Sequence, residues 1–116
     1  MSFSSRIRPA VDHELLAASQ TPDVASAFRH LERAHVLGQA STREHVRVHW
    51  RMLRWALANG DRREAVGQLL RIVGAASKTA IGFVPHGNTG GAAVSPFRRM
   101  TVAPDLAEII ARARGR

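Results

Sequence analysis

Cysteine is absent from the 116 residues, which removes disulfides, thiolate nucleophiles and every thiolate metal site, including the ligand that Cu(I) prefers. Any metal must then be held by nitrogen, oxygen or thioether. Long hydrophobic runs are missing too: no stretch approaches the roughly 18 apolar residues of a membrane-spanning helix. The first nine residues, Met1 to Pro9, lack the apolar region of a signal peptide, so the chain reads as a soluble cytoplasmic protein. Lysine is nearly absent, Lys78 being the only one among 17 basic residues. The net charge of +8 and pI of about 11.8 ordinarily raise nucleic acid as a partner. An arginine bias also follows from GC-rich coding, however, and charge totals speak to non-specific attraction, so nucleic acid ranks low among the expected partners.

A chain of this length fits one domain over residues 1–116 and buries a core without staples. Its punctuation is helical. Thr21-Pro22-Asp23 predicts an N-cap, a first-turn proline and an early acid, with Gly38 closing a helix over 22–37. Ser41 and Glu44 form a capping-box pattern that opens a second helix running to about Asn59. Asp61 to Glu64 opens a third, fading near Gly74 to Lys78, in which Ala65, Val66, Leu69, Leu70, Ile72 and Val73 recur at core spacing while Arg63, Glu64 and Arg71 face water. A weaker helix over 9–19 carries Val11, Leu15 and Leu16, and a short one over 103–114 places Leu106, Ile109 and Ile110 inward. The expected fold is all-α: four to five helices built on antiparallel hairpins, with a core over 9–78 and an irregular loop over 79–102.

That loop is dense in glycine between Gly82 and Pro96. Successive N–H groups there could cradle an anion beside Arg98 and Arg99. The loop lacks the G-K-[ST] ending of a phosphate loop and the dinucleotide G-x-G-x-x-G spacing, so it reads as a connection, with His86 a solvated loop residue.

The chemistry concentrates around the break at Gly38 to Ser41. At about 100° per residue, His45, His49, Met52 and Ala56 share one side of the second helix, beside Val46, Trp50, Leu53 and Leu57. Arg43, Arg47, Arg51 and Arg54 form the opposite, solvated stripe. On the preceding helix His35 falls beside Val24, Phe28 and Leu31, with Glu32 one turn back and His30 nearer the other edge. A link of about four residues favours an antiparallel hairpin, and His35 and His45 are equally distant from Ala40, so they should face each other with His49 one turn further on. His35, His45 and His49, with Glu32 as a fourth donor, suit zinc, iron, nickel or manganese better than calcium. The competing reading is a structural core in which Glu32 or Glu44 partners the histidines.

Other chemistry is thinner. Met52 reads as core filler. A di-iron site needs about four carboxylates and two E-x-x-H motifs, and Glu32 to His35 is the one such motif. Asp12-His13-Glu14 reads as surface polarity, and no serine sits in a nucleophile elbow, so the balance leans away from an enzyme. Trp50 reads as core; Trp55 is open between packing and a partner-facing anchor. Gly60-Asp61, Glu64-Ala65, Leu69 and Ile72 echo a tetratricopeptide half-repeat, but the 38-residue offset between Ala27 and Ala65 misses that family's period of about 34. They still define the rival function, a helical interaction module whose arginine face meets an acidic protein or nucleic acid.

Three segments carry a family resemblance: Ala27 to Gln39 (AFRHLERAHVLGQ), His45 to Leu53 (HVRVHWRML) and Pro85 to Gly91 (PHGNTGG). Over nearly the whole chain the sequence resembles the bacterial family called domain of unknown function 3703. The resemblance implies a compact helical protein with no established activity and no catalytic residue to carry over. It also implies a place among accessory proteins of metal-resistance gene clusters, which leans toward metals.

Overall fold

Ser2, Asp23, Ser41 and Asp61 each accept a hydrogen bond through a side-chain oxygen from the backbone N–H three residues on, at 3.1, 2.9, 3.3 and 3.0 Å. Each satisfies a donor that the first helical turn would otherwise orphan. The computed structural model describes residues 1–80, with backbone alone from 73, together with Gly90 and 100–115. Those four caps open α1 (Phe3–Gln20), α2 (Val24–Gly38), α3 (Thr42–Ala58) and α4 (Arg62–Ala80). The fifth helix, α5 (Pro104–Ala113), starts on a proline whose fixed φ suits the first turn. No strand occurs among the described residues. The anticipated glycine loop, His86, Arg98 and Arg99, and the side chain of Val73, lie outside them.

Several boundaries differ from the sequence expectation. Helix α1 begins at Phe3 instead of near 9, with Pro9 inside it. The Ser2 cap and the i, i+4 stripe of Ile7, Val11 and Leu15, all buried, stabilise the turns that the proline weakens. Leu16, one step off that stripe, is exposed. Asp23, not Thr21, caps α2, because the Thr21 hydroxyl donates instead to the Ala17 carbonyl at 2.6 Å and closes α1. Gly38 is the last residue of α2, and the cap that follows, Gln39, is right-handed with φ −63°. Glycine is needed there for closeness: a Cβ on Gly38 would lie 2.9 Å from Glu44 Cβ on α3. Helix α4 continues through Gly74 to Ala80.

One core joins Ile7, Val11 and Leu15 of α1, Leu31, Ala34 and Leu37 of α2, Val48 and Met52 of α3, and Leu106 and Ile110 of α5. Each large aliphatic chain so buried contributes on the order of 1.5–3 kcal/mol. Helix α4 stands apart: of the described helices it packs on α3 alone. Among the described side chains of α4 only Ala65 and Gln68 are buried, whereas Val66, Leu69 and Leu70 face solvent. On α3 the buried arc centres on His49, Met52 and Ala56, so Trp50 and Leu57, expected inward, are exposed. On that side of α3 the cover supplied by α4 ends at Leu53.

Candidate metal centre

Helix α2 folds back into α3 over Gln39 to Ser41, with Ser41 N–H donating to the Gly38 carbonyl at 2.9 Å. This reversal brings His35 and His45 together. His35 Nε2 lies 2.9 Å from His45 Nε2 and 3.1 Å from His49 Nε2, and the ring centroids are 4.7 to 4.9 Å apart. All three side chains are buried, at 3%, 2% and 2% exposure. The three histidines form a group whose ligand atoms all lie within 4.8 Å of one another, and no other group of this kind occurs among the described residues.

Helix α4 supplies the next layer. Gln68 is fully buried, and its Nε2 donates to Glu64 Oε2 at 2.5 Å and to the Gly90 carbonyl at 3.0 Å. Two acceptors around that nitrogen fix the carboxamide, so Oε1 is the atom presented to His49 Nδ1 at 2.5 Å. His49 therefore carries its proton on Nδ1, and its Nε2 lone pair points at the other two rings. Arg71 donates to the same Gly90 carbonyl at 3.1 Å, and burial pushes its guanidinium pKa down. Gly90 itself lies on the His35 ring at φ +83°; a Cβ there would come within 2.6 Å of His35 Cγ and 2.8 Å of Nε2. Only glycine fits this position, in both backbone and space.

Chemically the arrangement is a trigonal set of nitrogen donors. Zinc bound at about 2.0–2.1 Å holds neighbouring nitrogens roughly 2.8–3.0 Å apart in octahedral and about 3.3–3.4 Å apart in tetrahedral geometry, and the His35 contacts at 2.9 and 3.1 Å lie within that span. Hydrogen bonding alone accounts for the trio poorly. His35 Nε2 carries at most one proton yet faces two nitrogens, and His49 Nε2 brings none.

The remaining sequence candidates fall elsewhere. Glu32 is half-buried in a separate depression of about 300 Å³ with Arg29, Arg33 and Thr101, and is not one of the converging donors. His30 pairs through Nδ1 with Glu14 at 2.8 Å. Glu14 is buried, contrary to the reading of Asp12-His13-Glu14 as surface polarity, because Arg33 donates to its Oε2 at 3.2 Å while His30 partners Oε1. The arginine stripe is divided. Arg43 and Arg54 are exposed, but Arg47 is half-buried between Glu44, at 2.5 Å, and Asp12. Desolvation, then repulsion from Arg54 and Arg47, lowers the pKa of Arg51. Arg51 and Arg54 stand beside Ala18 and Ser19, where the negative end of the α1 dipole complements them. Trp55 packs on Phe28, centroids 4.5 Å apart.

Sequence reasoning missed Gln68 and Gly90, and it placed Glu64 and Arg71 in water although both are half-buried. The signal was present as E-x3-Q-x2-R, three polar residues on one face of α4, next to the edge that meets α3.

The molecule is thus a helical bundle with a buried trihistidine cluster. The chain matches the family described as a protein of unknown function (DUF3703) over residues 5–110 and belongs to it. No curated protein and no solved structure matches it. No helix among the described residues is long and apolar enough to cross a membrane.

Proposed function

We propose that the protein binds one divalent transition-metal ion through Nε2 of His35, His45 and His49 and acts in metal handling. The observation that carries this reading is the convergence of three buried imidazole nitrogens at metal-ligand spacing, 2.9 and 3.1 Å from His35. The Gln68 hydrogen bond supports it by orienting His49 and leaving Nε2 unprotonated, as an outer partner does at known histidine sites. Neutral imidazoles suit zinc, iron, nickel or manganese, and not calcium. Protons compete for the same nitrogens, so affinity falls as the pH drops.

Elemental analysis and calorimetry on protein purified without a histidine tag test the reading. Metal at a hundredfold excess over its dissociation constant raises stability by about 2.7 kcal/mol. His49→Ala removes that gain, and His13→Ala, at an exposed position on α1, leaves it intact. Dissociation constants no tighter than about 1 mM for all four metals, or a His49→Ala variant that binds as well as the parent, would show the trio to be a structural core.

A further inference from the structure

Helix α4 divides its circumference. One edge carries Glu64, Gln68 and Arg71 to the histidine cluster, and the middle sets Ala65 and Ile72 on α3. The third edge carries Val66, Leu69 and Leu70, which remain 58%, 55% and 73% exposed. Across the hairpin, α3 contributes Trp50 and Leu57, 53% and 66% exposed. Between the helices runs an open apolar groove of about 480 Å³, lined by Leu53, Leu57, Ala65, Val66 and Leu69.

Five large apolar side chains left more than half in water on one hairpin are far from the scattered exposure usual for a monomer. They are also what the core of a protein interface requires: about 800 Å² per partner, apolar at the centre and polar at the rim. We infer that this face of α3 and α4 pairs with the same face of a second copy of the chain. The two hairpins then form a four-helix bundle about a two-fold axis, each groove taking an apolar side chain from the other copy.

The rim favours self-pairing. Asp61 and Arg62 border the groove side by side, so a two-fold axis that passes by this end of the hairpin sets Asp61 of one copy against Arg62 of the other despite the overall +8. Pairing here also braces α4, the helix that holds Gln68 against His49.

Sedimentation equilibrium and light scattering on the full chain, from micromolar to millimolar concentration, test the inference. A dimer is expected, weakened at least tenfold by Leu69→Glu and by Leu70→Glu. Leu16→Glu, at an exposed leucine on α1, should stay dimeric, and circular dichroism should show all three variants folded. A parent that is monomeric throughout, or a dimer that survives both α4 substitutions, overturns the inference. The metal reading is scored separately: a monomer that still loads metal refutes only the dimer.

Discussion

Gln68 Oε1 accepts the Nδ1 proton of His49 at 2.5 Å, linking the middle of α4 to the innermost histidine of α3 across 19 residues of sequence. Because Glu64 and Gly90 fix the carboxamide, this one bond sets the tautomer that the proposed metal site requires of His49. Gln68→Ala should lower metal affinity by about 10–100-fold while the helical content is kept. Competition titration against a chelator of known affinity measures the change.

Gly90 bears on the same site from the opposite side. Gly90→Ala places a methyl group into the His35 ring and forces an L-residue to φ +83°, which costs about 1–2 kcal/mol in backbone strain before the ring moves. Metal affinity and thermal midpoint should therefore both fall. Chemical denaturation with and without metal separates the two losses.

Arg47 has a structural role. It neutralises Glu44, whose carboxylate is fully buried and whose Oε2 is the one buried side-chain atom left without a hydrogen bond among the described residues. Arg47→Ala leaves that charge uncompensated and should destabilise by about 3 kcal/mol. Arg43→Ala, at an exposed position on the same helix, should change stability by less than about 0.5 kcal/mol. Urea melts of the two variants give the comparison.

Asp23 predicts an acid-side effect. Hydrogen bonds from the Ser26 side chain, then from its backbone N–H, hold the carboxyl below its ordinary 3.8. A folded-state value depressed in this way adds stability above pH 3.8 that is lost as the pH falls through the folded value. Asp23→Ala should lower the thermal midpoint by a few degrees at neutral pH and by less near pH 2, where both proteins lack the charge. Thermal melts across that range read the difference.

The histidine trio was legible in the sequence because it rests on local rules. A capped helix, a three-residue reversal and equal spacing about Ala40 place His35 opposite His45 whatever the rest of the chain does. The same rules located the start of α4 at Asp61 and the inward residues of α5. Neighbours were not legible. Periodicity grouped Val66, Leu69 and Leu70 as an apolar face but could not say that no other described helix covers it. It likewise put Trp50 with Leu53, although the cover ends at Leu53. Gln68 was hidden by the assumption that polar residues face water; it is buried because a specific partner, His49, waits inside, whereas Glu44, weighed as a partner for the histidines, pairs with Arg47.

The reversal at Gln39 to Ser41 also orders events in time. His35 is separated from His45 by ten residues and from His49 by 14, whereas Gln68 and Gly90 join from 19 residues beyond His49 and 22 beyond Gln68. Closing a short loop costs less entropy and happens sooner than closing a long one. All three imidazoles belong to the α2–α3 hairpin, which precedes α4 in the chain. The histidine cluster is therefore the first part of the site to come together, and the segments that bear Gln68 and Gly90 close over it later.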